Sequence, residues 1–348
     1  MSVTNKSPNT DILWQKMVMK YTKPDIRKSI WQICNSLIPY ILLWIVMYQS
    51  FAYSYIYTLI LAVPASGFLV RLFIIFHDCG HGSFFRSRRA NKVVGSILGI
   101  LTFTPYDKWH DLHHQHHAST GNLDKRGTGD VWTMTIREYM EATPAKRLIY
   151  RLFRNPFFMF TFGPMILILL NRITVKEMDA KAKRDVYYTN IAVVVMGAII
   201  SYFIGFKAYL LIQIPILLIS HTAGLWLFYI QHQFEDVTWE RTESWDYKEA
   251  AIRGSSFLKL PIILQWFTGN IGFHHVHHLS SRIPNYNLAR CHYENELFRE
   301  VKPIVLSATF RALQLNLWDE ANGKLISFKS LNKRKEEQQA VFIYQGLP

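Results

Sequence analysis

Long apolar stretches alternate with polar, mostly basic ones along this 348-residue chain. The four longest apolar runs are residues 31–48, 53–76, 186–206 and 208–230. Each is long enough to cross a hydrocarbon core of roughly 30 Å as a helix, and their pairing predicts two membrane hairpins. Two shorter runs, 93–103 and 157–170, fall below that length and are typical of interfacial or half-inserted helices.

Composition supports this interpretation, because half of the residues are apolar and the mean hydropathy is +0.05. We predict an all-α integral membrane protein with four transmembrane helices, interfacial helices and a cytoplasmic domain. Residues 1–30 are expected to form a cytoplasmic segment without the features of a signal peptide, 31–330 the membrane domain, and 331–348 a polar tail. The three cysteines are too scattered for a disulfide framework or a Cys-x-x-Cys metal site.

The formal charge of +14 is distributed unevenly. All but two of the 39 Lys and Arg residues lie in the N-terminal segment, in 77–185 or in 231–348. By the positive-inside rule these three segments face the cytoplasm, which four crossings satisfy. Membrane topology and attraction to anionic headgroups account for the basic surplus, so we expect no nucleic-acid partner.

The number of membrane crossings between the histidine segments must be even if these segments are to lie on the same side of the membrane. If 93–103 crossed the membrane, the segments HDCGH (77–81) and HHQHH (113–117) would lie on opposite faces. A crossing by 157–170 would likewise separate these histidines from those after residue 230. We therefore predict that neither run contributes a net crossing.

Histidines gather just beyond the cytoplasmic ends of the predicted spans. His77 and His81 are four residues apart, which on a helix places both imidazoles on one face. The segments HHQHH and HHVHH (274–278) repeat an i, i+3, i+4 spacing, and His232 follows the fourth span in FYIQHQFE. Each group offers two or three ring nitrogens to one side of a helix.

Neutral imidazole is a common ligand of first-row transition metals, and eight or nine of them exceed what one ion accepts. The pattern therefore predicts a site for two metal ions. His221, His275 and His292 lack the grouped spacing and are interpreted as ordinary side chains. His221, inside the fourth span, is in addition a weak candidate neighbour of the ligands.

Other metal chemistries fit less well. The chain has no HExxH motif and no Glu-x-x-His pair, so a zincin protease and a carboxylate-bridged di-iron bundle are excluded. A metal transporter is the main non-enzyme alternative. It would need ligands along the spans, whereas the first and third spans contain no His, Asp or Glu.

The order HxxxH, HxxHH, HxxHH around paired spans resembles the three histidine boxes of the membrane fatty acid desaturase family. The flanking segments HDCGHGSFF, HHASTGNLDKRGTGDVW, QHQFED and GNIGFHHVHHLSSRIPNYNL are similar to bacterial acyl-lipid desaturases of the Bacillus type. The resemblance extends from about residue 30 to 330.

The resemblance implies nine metal ligands. Box two, HDLHHQHH, contains two overlapping frames, His110-His113-His114 and His113-His116-His117; the small residues AST after His117 favour the second. The implied ligands are His77, His81, His113, His116, His117, His232, His274, His277 and His278. Their candidate hydrogen-bonding neighbours are Asp78, His110, Asp124, Asp130 and Glu235.

The resemblance also implies a reaction: a di-iron centre and O₂ remove two hydrogens from neighbouring methylenes of a membrane lipid acyl chain and leave a cis double bond. The chain has no cytochrome b5-like segment, so electrons are expected from a separate acidic ferredoxin or flavodoxin. The implied location is the bacterial cytoplasmic membrane, with the site on its cytoplasmic side. Fatty acid or carotenoid hydroxylases and ketolases, which share such histidine boxes, remain the alternative enzymes.

Overall fold

The computed structural model describes residues 8–127 and 129–345, and these are mostly helical, as predicted. The outermost ends of the predicted N-terminal segment and C-terminal tail, 1–7 and 346–348, lie outside the described residues. The helices are α1 (Pro8–Met19), α2 (Ile26–Ser50), α3 (Tyr55–Gly80), α4 (Arg88–Leu101), α5 (Tyr106–Ser119), α6 (Ile136–Glu141), α7 (Pro144–Phe153), α8 (Pro156–Arg172), α9 (Ala180–Ile204), α10 (Phe206–His232), α11 (Tyr247–Arg253), α12 (Ile262–Phe267), α13 (His274–Leu279), α14 (Asn285–Glu294), α15 (Leu306–Ala312) and α16 (Phe328–Gln345). A 3-10 turn, Glu296–Phe298, follows α14.

Four helices have the length and composition to cross a membrane, which confirms the four predicted spans: α2, α3, α9 and α10. They contain 25 to 27 residues, so each is roughly 40 Å long at a rise of about 1.5 Å per residue. They exceed the apolar runs because the helices continue into polar sequence, with His77 in the last turn of α3 and His232 ending α10. The second hairpin turns at Gly205, whose φ of 85° favours glycine.

Helix α3 is the centre of the membrane part. In its most apolar stretch 56% of the residues are buried, against 11% in α9, which faces lipid. One face of α3 carries Gly67, Arg71 and Asp78 and holds the segment that leads into α14. The guanidinium of Arg71 lies 3.9 Å from the ring of Trp266, and Asp78 accepts a hydrogen bond from the backbone of Asn285. This contact fixes the C-terminal histidine segment against the helix that carries His77.

The two shorter apolar runs fold as α4 and α8. Helix α8 is bent by 82° from α7 across a short break, so the pair is not one straight span. Its C-terminal end is tied to the first turn of α5, where Lys108 Nζ donates to the carbonyl of Ile173 at 2.8 Å, and to the turn between α4 and α5, where the carbonyl of Phe103 accepts from Arg172. The C-terminal ends of α4 and α8 therefore both lie near the start of α5.

Two small sheets, which the all-helical prediction did not include, organise the extramembrane part. Strands β1 (Met134–Thr135), β4 (Leu317–Asp319) and β5 (Lys324–Ile326) form one sheet, with β1 parallel and β5 antiparallel to β4. Strands β2 (Phe257–Lys259) and β3 (Pro303–Val305) pair in parallel. Strands of two or three residues are too short to show the alternation that marks a strand in sequence. They join segments that are distant along the chain.

Candidate metal centre

Five histidines converge at the end of α3. Their ligand atoms all lie within 4.8 Å of one another, and they belong to α5, α13 and the C-terminal end of α3: His77, His81, His113, His117 and His277. The Nε2 atom of His113 is 3.1 Å from that of His77 and 3.1 Å from that of His117. The Nε2 of His277 is 3.0 Å from that of His117. We call this group the five-histidine cluster.

Four further histidines form a neighbouring group, the four-histidine cluster: His116, His232, His274 and His278. The Nε2 of His232 is 3.0 Å from those of both His116 and His274. The Nε2 of His278 is also 3.0 Å from that of His274. The nine histidines named from the sequence thus divide into groups of five and four.

Helix geometry explains this division. Residues four apart lie within about 40° on a helix, whereas adjacent residues diverge by about 100°. On α5, His113 and His117 therefore point into the five-histidine cluster while His116 points into the other. On α13 one histidine, His277, joins the five-histidine cluster, whereas His274 and His278 join the four-histidine cluster. Each HxxHH segment consequently contributes to both clusters.

The clusters are buried, which determines their protonation. Burial, reinforced by neighbouring imidazoles, holds the pKa of His113, His117, His274, His277 and His278 well below the usual value. At neutral pH these rings are therefore uncharged and keep a free lone pair. That is the form in which histidine binds metals.

The ring nitrogens of both clusters are close enough together to hold a metal ion. A ring nitrogen that carries a hydrogen cannot accept a hydrogen bond, and one without a hydrogen cannot donate. Successive Nε2–Nε2 approaches of 3.0–3.1 Å therefore do not form a well-made hydrogen-bond network. In addition, the buried Nε2 of His81 has no hydrogen-bond partner within the described residues. A metal ion would receive all these lone pairs, so the donor set fits a dimetal centre.

The outward nitrogens of three ligand candidates are oriented by neighbours. The Nδ1 of His116 is 2.7 Å from Oδ1 of Asp130, and the Nδ1 of His77 is 3.3 Å from Oδ1 of Asp78. The Nδ1 of His232 donates to the carbonyl of Gly254 at 3.2 Å. Such contacts fix the ring orientation and the tautomer that leaves Nε2 free.

The sequence did not predict two residues that contact the ligand candidates or their hydrogen-bonding partners, Asn285 and Gly254. Asn285 donates to Oδ2 of Asp78 from its backbone at 2.7 Å and from its side chain at 2.8 Å. Gly254 contributes only a backbone carbonyl, which no side-chain pattern reveals. The Asn285 contact joins residues 207 positions apart, and the sequence carries no signal for it.

The structure places the other candidates elsewhere. Asp124 is paired with Arg241 at 2.6 Å and accepts from the backbone of Thr242, away from the cluster rings. Glu235 is exposed on the rim of a separate cavity. His110 is half-exposed and 2.9 Å from its neighbour Asp111. The exposed His114 also lies outside both clusters, as the second frame of box two requires.

The histidines interpreted as ordinary side chains also lie apart from the clusters. His275 and His292 are buried against aromatic rings, with Nε2 of the first 2.9 Å from Nδ1 of the second. Burial lowers the pKa of His275 to about 3 and that of His292 to about 4. His221, inside α10, contacts the carbonyl of Leu217 at 2.9 Å.

Aromatic side chains form the boundary between the clusters and the spans. The ring of Trp109 stacks on His113 with centroids 4.3 Å apart and also meets Phe76 at 5.0 Å. This approach depends on Gly80, since a Cβ there would lie 2.6 Å from the Trp109 ring. On the other cluster, Phe228 lies 5.3 Å from His116. These rings limit the access of water from the span side.

The clusters also settle the geometry of the shorter runs. The segments before α4, between α4 and α8, and after α10 all supply histidines to the same two groups. They must therefore lie at the same end of the spans, and α4 and α8 add no net crossing. Placement at the span ends, rather than along them, is unlike a transport pathway.

Comparison with known proteins agrees with this site. A family model described as Fatty acid desaturase matches residues 22–306. The chain is 47% identical over 317 residues to a protein of Bacillus subtilis (strain 168) named Fatty acid desaturase, covering 91% of this chain and 90% of that one.

More distant relatives come from Synechocystis sp. (strain ATCC 27184 / PCC 6803 / Kazusa). An sn-1 oleoyl-lipid 12-desaturase is 28% identical, covering 76% of this chain and 77% of its own. An sn-1 acyl-lipid omega-3 desaturase (ferredoxin) is 27% identical, covering 63% of this chain and 62% of its own. With a match that includes all nine clustered histidines, this chain belongs to the fatty acid desaturase family.

Proposed function

We propose that this protein is an O₂-dependent desaturase that introduces a cis double bond into the acyl chains of membrane lipids. The observation that carries the proposal is the convergence of nine imidazoles into two adjacent buried clusters at one end of four spans. The acyl-lipid substrates in the names of the cyanobacterial relatives support the substrate class.

The proposed cofactor is a pair of irons, one held by the five-histidine cluster and one by the four-histidine cluster. Each cluster consists of imidazoles, which suit iron among other first-row metals, and the family to which the chain belongs supports iron. Bound iron would supply the redox chemistry for O₂ activation that imidazole and carboxylate side chains lack.

In the proposed overall reaction, two neighbouring methylenes each lose one hydrogen and a double bond forms between them. O₂ takes up these two hydrogens, two electrons from a donor and two protons, and is reduced to two waters. Asp130, Asp78 and the Gly254 carbonyl hold the ligand rings in orientation. Trp109 and Phe228 keep the span side dry, which protects a reactive centre from side reactions.

The proposed setting is the bacterial cytoplasmic membrane, with the clusters on the cytoplasmic side, because the segments that carry them hold 31 of the 39 Lys and Arg residues. There the site would meet a soluble donor, a ferredoxin or a flavodoxin. The ferredoxin in the name of one relative supports the first.

Expression in a bacterial host without a desaturase tests the proposal. The expected result is a new cis-unsaturated acyl chain in the phospholipids, absent when His277→Ala replaces the native protein. Purified protein should contain close to two irons after anaerobic reconstitution. A hydroxylated acyl chain as the main product would leave the metal centre intact but replace desaturation by the hydroxylase alternative, and a single zinc or no bound metal would refute the centre itself.

A further inference from the structure

A cavity of about 950 Å³ opens in the extramembrane part, bounded by α11, β3, α15, β5 and the start of α16. Its floor is the segment 255–257, directly after Gly254. The hydroxyls of Ser255 and Ser256 are buried there without a hydrogen-bond partner among the described residues.

This floor lies immediately behind the four-histidine cluster. The Gly254 carbonyl accepts from Nδ1 of His232, and Nε2 of the same ring lies 3.0 Å from the Nε2 atoms of His116 and His274. The backbone of Ser256 also donates to the carbonyl of Gln231 at 2.9 Å, which holds the floor against the end of α10. One peptide group and one imidazole thus separate the cavity from the cluster.

The two walls of the cavity differ in charge. One wall is built from residues 297–334, and we call it the C-terminal wall. It carries one acid, Glu300, and four cations: Lys302, Arg311, Lys324 and Arg334. Arg334 is paired with Asp319, whereas the other three cations form no ion pair within the described part of the chain. The opposite wall carries two cations and three acids: Lys248, Arg253, Glu235, Asp236 and Glu249.

We propose that this cavity is the docking site of an acidic one-electron carrier protein, whose negative edge lies on the C-terminal wall. The inference rests on the proposed function and specifies where its electron donor binds. In each encounter the carrier would lose one electron, which would pass through the Gly254 carbonyl and the His232 imidazole and reduce a metal ion held by the four-histidine cluster. The cavity admits a convex edge close to the cluster, and the unpaired cations attract an acidic surface.

The geometry also distinguishes this surface from other basic parts of the chain. Lys176, in the turn before α9, and Arg184, near the start of α9, are exposed and form no ion pair among the described residues, but they do not line this cavity. They provide a matched control, because reversing two cations at either place changes the net charge equally. A specific docking site predicts different outcomes for the two pairs.

The test measures binding rather than desaturation. Full-length, metal-loaded protein in detergent is immobilised, and the affinity of purified, oxidised acidic ferredoxin is determined by biolayer interferometry at low and at physiological salt. Lys302→Glu with Arg311→Glu should weaken binding roughly tenfold or more, whereas Lys176→Glu with Arg184→Glu should change it less than about twofold. A photo-cross-linker at position 324 should capture the ferredoxin, and one at position 176 should not.

Several outcomes would overturn the proposal. Equal weakening by both pairs would reduce the effect to general electrostatic attraction, and unchanged binding in the first pair would remove the site. Failure of both ferredoxin and an acidic flavodoxin to bind the wild-type protein would also refute it. If the first pair instead lost binding only to phosphatidylglycerol vesicles, the wall would be a lipid contact. Because no arm requires turnover, an error in the assigned reaction would not be mistaken for failure of docking.

Discussion

His116 and His117 are adjacent in the chain, yet their imidazoles belong to different clusters. The divergence of about 100° between neighbouring side chains on α5 lets one segment contribute imidazoles to both clusters. His114, which points away from both, is exposed.

We expect His116→Ala and His117→Ala each to abolish activity, because each removes a ligand from a different cluster. His116→Ala should preferentially lose the ion of the four-histidine cluster. Its iron content, measured by elemental mass spectrometry, should then be close to one iron per chain. His114→Ala should keep both irons and its activity, with His110→Ala intermediate. An inactive His114→Ala beside an active His117→Ala would mean that the first frame of box two is the correct one.

Asp130→Asn should weaken metal binding, because the carboxylate that orients His116 at 2.7 Å loses its charge. Loss of such a partner typically costs about 10–100-fold in metal affinity or activity. Metal retention during titration with a chelator measures the effect. Asp124→Asn is the matched control, since its carboxylate contacts Arg241, and it should retain metal like the wild-type protein. Equal loss in both variants would indicate a general loss of folding instead.

The contrast between Asp130 and Asp124 shows what the sequence could and could not supply. Run length predicted the four spans, and helical spacing grouped the histidines within each segment, because both depend on residues near one another in the chain. The set of nine ligands was implied by the family resemblance. Asp130 contacts His116 only 14 positions away, but the partners of Asp124 and Asp78 depend on how distant segments pack. Asp124 meets Arg241 and Asp78 meets Asn285 across more than a hundred positions, and local periodicity has no information about such contacts. The short strands escaped prediction for the same reason.

Gly80→Ala should disturb the aromatic boundary, because the added Cβ would lie 2.6 Å from the ring of Trp109, which stacks on His113. Overpacking of this kind costs about 1–3 kcal/mol. Thermal unfolding in detergent should show a lower midpoint and, with Trp109 displaced, weaker metal retention. Gly224→Ala, where nothing lies within 4 Å of the added Cβ, should be neutral or slightly stabilising. The same midpoint in both variants would contradict the predicted clash.

His292 should make stability depend on pH away from the metal centre. Burial lowers its pKa from 6.5 to about 4, so below pH 6.5 the unfolded chain takes up a proton that the folded chain does not until about pH 4. Its contribution to stability is therefore present above pH 6.5 and lost as the pH falls through this window. His292→Gln, which cannot titrate, should show a shallower decline in unfolding midpoint between about pH 7 and pH 4.5. An unchanged slope would show that His292 is not protonated differently in the two states.

The sidedness of the site gives the last prediction. The test uses a variant that lacks Cys34, Cys79 and Cys291 and carries one new cysteine in place of Arg89, Lys125 or Lys176. Each new cysteine should react with an impermeant thiol reagent only in inverted membrane vesicles. The reason is that these exposed positions lie in the basic segments that carry the clusters. A cysteine in place of Lys207, in the first turn of α10, should react only in intact cells. Reversal at all four positions would leave the clusters intact but place them on the outer face, where no soluble ferredoxin could reach them. Labelling of position 125 from the opposite side to position 89 would be more damaging, since His113 and His77, whose Nε2 atoms lie 3.1 Å apart, would then be on different sides of the membrane.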